Sequence, residues 1–286
     1  MASKLIGSPP CPGAKRIVSL APSATDTVAF MGLGAHLVGV TEQCDSEEVR
    51  DCERIGTFSQ PDVERICLLR PDLVLALGRI HSRVVDELAQ RGVAVFVSRP
   101  QSVMDILDDA EEIARLGGQE KLGEAIVDQL RERVRVVGER MSAMPPVRVF
   151  RLMTEDPLVA PSSTSYQYDA VRVAGGLPFP LVSEEPYTAV PMQEVIDFDP
   201  QVIVSCGRKD SEAPKPRCRG CRAQMPPCQR VVNDIRSWEG WRETAAARDG
   251  RIYAMQCNVI CRPGPGIVKG VEQLAEWFHP TCSLSR

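Results

Sequence analysis

Six cysteines carry the most pointed chemistry in this chain: Cys206, Cys218, Cys221, Cys228, Cys257 and Cys261. The first four fall within one polar run, residues 206–228, with a Cys-x-x-Cys pair at its centre. Prolines and glycines punctuate that run, so it forms neither regular helix nor strand. It has too few apolar side chains for a core of its own, and clustered thiolates are what a metal centre needs to organise such a loop. The expectation is an iron–sulfur cluster, of the 4Fe-4S type, on Cys206, Cys218, Cys221 and Cys228, with Cys257 or Cys261 as alternate or additional ligands. A tetrahedral zinc, with Zn–S bonds of about 2.3 Å, is the competing use of the same thiols, and disulfides are a third. Seven Lys or Arg between residues 208 and 230, against Asp210 and Glu212 alone, would offset the negative charge of a thiolate cluster.

The elements that position these thiols follow from the apolar pattern. Residues 16–20, 36–40, 71–78 and 93–97 read as short β-rich runs. Helical patterns at 24–31, 62–69 and 82–91 lie between them, Ser23 being placed to cap the first. Strand and helix alternating through short links predict a parallel α/β sheet. Residues 102–141 hold no proline and carry apolar side chains at helical spacing. They predict one long helix, or two in series with a break at Gly117 and Gly118. A second α/β unit starts at Val147. It echoes the first, Pro71-Asp-Leu-Val-Leu-Ala-Leu-Gly matching Pro200-Gln-Val-Ile-Val-Ser-Cys-Gly. The chain thus divides into an N-terminal α/β lobe (1–100), a linking helix (101–144) and a C-terminal α/β lobe (145–286) that carries the Cys-rich loop. Ligands of parallel sheets collect at the carboxyl ends of the strands. The echo puts Cys206 at such an end, and Cys257 just past another.

Composition excludes several classes. A net charge of −4 over 286 residues does not suit a chain that coats nucleic acid or an anionic membrane. No apolar run approaches the roughly 20 residues that span a bilayer. Residues 1–15 show no signal-peptide pattern, so a cytoplasmic location is expected as the sequence stands, and a periplasmic or extracellular one if a leader has been removed. Eleven cysteines in a chain of this size fit thiols that are free or metal-bound. There is no Ser-His-Asp order, no His-Glu-x-x-His and no phosphate loop, so side-chain catalysis has no support, while redox work by a cluster stays open.

Several stretches resemble the helical-backbone (class III) periplasmic binding proteins, which deliver cobalamin, siderophores and haem to ABC transporters. The likeness is strongest to their vitamin B12-binding branch. They are Arg16-Ile-Val-Ser-Leu-Ala-Pro-Ser-Ala-Thr-Asp, Leu37-Val-Gly-Val-Thr-Glu-Gln-Cys-Asp, Ile55-Gly-Thr-Phe, Pro71-Asp-Leu-Val-Leu-Ala and Arg262-Pro-Gly-Pro-Gly with His279-Pro280. The resemblance implies two Rossmann-like parallel-sheet lobes on a long backbone helix, with a ligand cleft between them. Carried across, the cleft would be lined by Ser23, Gln43, Cys44, Asp45, Phe58, Gly78, Arg79, Tyr166, Tyr187 and Arg262. Tyr166 and Tyr187 suit stacking on a large planar ligand, and the arginines suit its carboxylate, phosphate or amide groups. The implied function is to hold a corrinoid, siderophore or haem-like solute, with an ABC permease as partner. Family members dock the permease through a glutamate on each lobe. Glu64 matches on the first; on the second the matching position is Gln193, with Glu194 one step out. The Cys-rich loop is extra to the family pattern. It leaves two other expectations: a cytoplasmic iron–sulfur redox protein on this fold, with a redox partner, or a transporter-associated binding protein with structural zinc.

Overall fold

The computed structural model describes residues 2–214 and 227–280. In the first lobe the strands are β1 (Lys4–Ile6), β2 (Ile17–Ser19), β3 (Leu37–Val40), β4 (Glu53–Arg54), a small hairpin of β5 (Gly56–Thr57) and β6 (Gln60–Pro61), β7 (Leu73–Leu77) and β8 (Val95–Ser98). Helices α1 (Pro22–Phe30), α2 (Val63–Leu68) and α3 (Ser82–Gln90) alternate with them. Six strands form one sheet in the order β1-β8-β7-β2-β3-β4. All neighbours run parallel except β1, which lies antiparallel on β8 at the edge. Three residues are too few to give a periodic signal, so β1 has no counterpart among the expected strands.

Helices α4 (Val103–Leu116) and α5 (Glu120–Ser142) follow in series. Of the two readings of residues 102–141, the structure takes the broken one. Gly117 caps α4 and Gly118 adopts φ +78°, a left-handed turn that a β-carbon disfavours. Ser102 and Asp105 close a reciprocal capping box at the start of α4. The two helices then pack side by side so closely that a β-carbon on Gly123 would lie 2.4 Å from that of Ala114.

The second lobe has a central parallel sheet ordered β12-β9-β14-β15, from β9 (Val147–Leu152), β12 (Gly176–Pro178), β14 (Val202–Cys206) and β15 (Ile252–Met255). A small antiparallel sheet of β10 (Thr154–Glu155), β11 (Leu158–Pro161) and β13 (Tyr187–Ala189) sits beside it. The helices are α6 (Tyr166–Val173), α7 (Met192–Phe198), α8 (Ala245–Arg248), α9 (Cys257–Ile260) and α10 (Ile267–Phe278). None of the described helices is long and apolar enough to cross a membrane.

Side chains two apart on a strand share a face, and that parity assigns the cores. Leu73 and Leu75 of β7, and Val202 and Val204 of β14, join one apolar cluster that runs from the first lobe through α4 and α5 into the second. Val74 and Ala76 pack on the outer face of the first sheet, and Phe150, Leu152 and Ile203 on that of the second. The helical pair therefore shares a core with both lobes. Arg133 of α5 adds an ion pair to Glu272 of α10 at 2.7 Å.

Candidate functional site: a cleft between the lobes with a thiol cluster in its wall

Strand parity explains why an arginine and a cysteine meet inside the second lobe. Arg151 follows Val147 and Val149 on one face of β9 and stands in register with Val204 of β14. Cys206 is the next residue on that face of β14. β14 ends there because Gly207 turns the chain at φ +156°, where a β-carbon would lie 2.5 Å from the Arg230 carbonyl oxygen. Beyond β15, the single turn of α9 carries Cys257 at its start, and Cys261 follows its last residue.

The thiols of Cys206, Cys257 and Cys261 converge, their sulfurs all lying within 4.8 Å of one another. The Cys206 and Cys261 sulfurs are 2.8 Å apart, and Cys257 Sγ lies 3.9 Å from Cys206 Sγ. Arg151, buried beneath them, donates from Nη2 to Cys206 at 3.0 Å and to Cys261 at 3.3 Å. Its remaining donors are satisfied by the Gln167 side chain and the carbonyls of Leu152 and Val204. Hydrogen bonds from Cys257 and Cys261, then the Arg151 charge, hold the Cys206 thiol well below its ordinary range. The bond to Cys206 in turn pushes Cys257 up to about 12. Burial opposes the charge on Arg151, but Cys206 and Cys261 outweigh it and keep the guanidinium protonated. Arg151 was not among the expected site residues. Its signal was a charge at the same parity as Val147 and Val149, on a strand whose other charge, Arg148, falls at the opposite parity.

Among the described residues the cluster gathers three of the six expected thiols. Cys206 joins Cys257 and Cys261, while Cys228 borders the same cavity as Cys257. Cys218 and Cys221 lie outside the described residues. Protein contacts tie both ends of the 206–228 loop. Arg208 forms a parallel bridge to Val231, and Arg230 donates to Ser205 Oγ at 2.6 Å and stacks on Trp238.

Two cavities open between the lobes. The first, of about 370 Å³, is bordered by Leu77, Gly78 and Arg79 of one lobe and by Tyr166, Tyr187 and Cys261 of the other. The second, of about 650 Å³, is bordered by Asp26 and Asp45 on one side and Cys257, Arg262 and Gly264 on the other. Ion pairs cross between the lobes at each. Arg79 meets Glu185 at 2.5 Å. Arg262 meets Asp26 at 3.0 Å and Asp45 at 2.9 Å. Burial raises the Asp26 carboxyl against the pull of Arg262.

Of the ten residues expected to line the cleft, Gly78, Arg79, Tyr166, Tyr187, Asp45 and Arg262 border one of these cavities. Both tyrosines are tethered: Tyr166 donates to the Ile260 carbonyl at 3.1 Å, and Gln167 donates to Tyr187 at 3.1 Å. The other four border neither of these two cavities. Cys44 is buried in the first lobe, bonded to Thr25 and Thr41. Gln43 accepts the Phe58 amide at 2.7 Å, and Phe58 packs edge-on against His81. Ser23 is buried within the first turn of α1 and does not cap it. The helix begins one residue earlier, at Pro22, whose fixed φ and missing N–H suit the first helical position. Glu184, Glu185 and Pro186, which border the smaller cavity, had no signal in the sequence.

The pattern described as "Periplasmic binding protein" matches residues 17–258. A vitamin B12-binding protein of Vibrio cholerae is 24% identical over 93% of this chain and 89% of its own. One from Yersinia pestis is 32% identical over 69% of this chain and 71% of its own. The crystal structure of the periplasmic vitamin B12-binding protein of Vibrio cholerae superposes with a TM-score of 0.75 at 25% identity, over 93% of this chain and 96% of that one. A periplasmic haem-binding protein from a Roseiflexus species gives 0.74 at 20% identity, over 94% and 99%. Two parallel-sheet lobes, a shared helical spine and a cleft at the strand ends complete the pattern, and the chain belongs to the periplasmic binding protein family.

Proposed function

We propose that this solute-binding protein holds a corrinoid of the cobalamin type between its lobes. The observation that carries the reading is the cavity bordered by Gly78 and Arg79 on one side and by the tethered Tyr166 and Tyr187 on the other. Tyrosine faces suit a flat macrocycle, and Arg79 suits the amides and phosphate at its edge. The ion pairs of Arg79 and Arg262 exchange partners or part as the solute seats. Relatives at 24% and 32% identity bear the description vitamin B12-binding protein, which supports this solute class over others the fold accepts. An ABC permease is the partner the reading implies, with Glu64 at the start of α2 and Glu194 at the start of α7 as exposed contacts.

The test is titration with cyanocobalamin, haemin and a ferric siderophore, followed by calorimetry and by quenching of tryptophan fluorescence. One cyanocobalamin per chain, bound at least about tenfold more tightly than the others and weakened in Arg79→Ala and Tyr187→Ala, supports the reading. Haem or siderophore binding with no response to cobalamin overturns it. Because Tyr187→Ala also opens space, Tyr187→Phe serves as the control that keeps the ring.

A further inference from the structure

The thiol cluster has a chemistry of its own, apart from the solute. We propose that Cys206, Cys257 and Cys261 form a trithiolate site for one thiophilic divalent cation, zinc above all, with Arg151 as its built-in counter-charge.

Spacing is the first argument. Around a single ion with metal–sulfur bonds of about 2.3 Å, the sulfurs stand about 3.8 Å apart in a tetrahedron and about 4.0 Å in a trigonal plane. The three sulfurs here lie within 4.8 Å of one another, with separations of 2.8 and 3.9 Å among them. The 3.9 Å separation is that of two ligands on one ion, and the 2.8 Å pair has to open by only about 1 Å to reach it. An iron–sulfur cubane puts each thiolate on a different iron and spreads them across the width of the cluster. Three close thiols also outnumber what a disulfide can use.

Charge is the second. A metal takes its cysteines as thiolates and releases their protons; three thiolates beside one guanidinium then leave two negative charges, which a divalent cation brings to neutrality. Cys206 is 3% exposed and Arg151 2%, and uncompensated charge at such depth is strongly unfavourable. A monovalent soft cation would leave a net charge there. Among divalent ions, an all-sulfur donor set selects zinc over magnesium, calcium or manganese, which prefer oxygen.

Positioning is the third. Arg151 is anchored by Gln167 and by two backbone carbonyls, so its Nη2 reaches Cys206 and Cys261 from a fixed base. Outer partners of this kind orient metal ligands and tune them. Three protein ligands leave one position for a fourth donor, and Cys228 borders the same cavity as Cys257.

The test uses the full chain, purified anaerobically under reducing conditions and stripped with a chelator. Metal and acid-labile sulfide are measured before stripping, and the stripped protein is titrated with Co²⁺ and then Zn²⁺. The expected result is about one zinc per chain without sulfide, and one Co²⁺ with intense sulfur-to-metal absorption that Zn²⁺ displaces. Cys257→Ser, at the exposed corner, should weaken Co²⁺ binding at least about tenfold while keeping the native circular dichroism. Arg151→Gln should weaken it by about 10- to 100-fold. Roughly four irons with matching sulfide in the purified protein would overturn the single-ion site, as would Co²⁺ binding that Cys257→Ser leaves unchanged. Cyanocobalamin titration of the stripped protein separates this site from the solute site. A chain that binds metal but no cobalamin defeats only the solute reading, and the converse defeats only this one.

Discussion

Arg79 and Glu185 stand 106 residues apart in the chain and meet at 2.5 Å across the mouth of the smaller cavity. One follows the last strand residue of β7 by two, and the other lies in the loop before β13. Both side chains are largely exposed, so the pair is a surface contact between lobes and not a structural keystone.

Its loss should therefore barely move stability. For Arg79→Ala the expected change is under about 1 kcal/mol, within a few degrees of melting temperature. If the pair restrains solute exchange, Glu185→Gln should speed dissociation of bound cobalamin in stopped-flow chase experiments. Unchanged dissociation at both low and high salt would remove the pair from that role.

Arg262 is different because one of its two partners, Asp26, is partly buried. Asp26 has its carboxyl raised by burial, and Arg262 opposes that rise. Removing the arginine in Arg262→Ala raises it further. A carboxyl whose folded value lies above its unfolded one gives stability that is complete at low pH and lost as pH climbs through the folded value. The variant should thus lose about 1–2 kcal/mol at pH 7, after allowance for the partial exposure of the pair, and less at pH 4. Urea denaturation at the two pH values measures the difference, and Asp26→Asn in the Arg262→Ala background should recover part of it.

Arg151→Met, studied metal-free, removes the donors that satisfy two thiols, two carbonyls and Gln167. Breaking a buried charge contact costs about 3–5 kcal/mol. Adding Cys206→Ala should make the double variant less unstable than the sum of the singles, since the thiolate that needed the charge is gone. Additive losses in chemical denaturation would mean that the two side chains do not act as a pair.

A fourth prediction concerns the first lobe. Asp109 on α4 is raised to about 6, first by burial and then by Asp105 and Asp108, against the lowering effect of the Ser98 and Ser3 hydroxyls that donate to it. Its folded value exceeds the unfolded 3.8, so its contribution is complete below about pH 4 and is lost as pH rises through about 6. The linked change is about 2–3 kcal/mol. Melting temperatures across pH 3.5–7 should fall along this slope in the native chain, and Asp109→Asn should flatten it.

The sequence made the sheets legible wherever a strand was long and apolar on both faces. Leu73–Leu77 and Val202–Cys206 announced themselves, and their likeness placed Cys206 at the cleft end before any coordinates. The thiol partners were legible in part, because the likeness of the two lobes also put Cys257 just past a strand end and left Cys261 a candidate beside it. Cys206 meets Cys261 55 residues away and Cys257 51 away, through a pairing of β14 with β15 that spacing alone does not reveal. Arg151 shares its strand with Arg148, and nothing in that six-residue run marks which of the two arginines faces inward. Ser23 looked like a cap because serines usually are; the proline before it had already started the helix.

The spine of α4 and α5 bears on how the protein signals that it is loaded. Gly123 lets the two helices approach almost backbone to backbone, and they share one core with each sheet, which couples the lobes through the spine. An empty and a filled molecule should then have nearly the same silhouette in solution scattering. Any partner that tells them apart must do so at the rim of the cleft, from which charged side chains have paired and what the solute itself leaves showing.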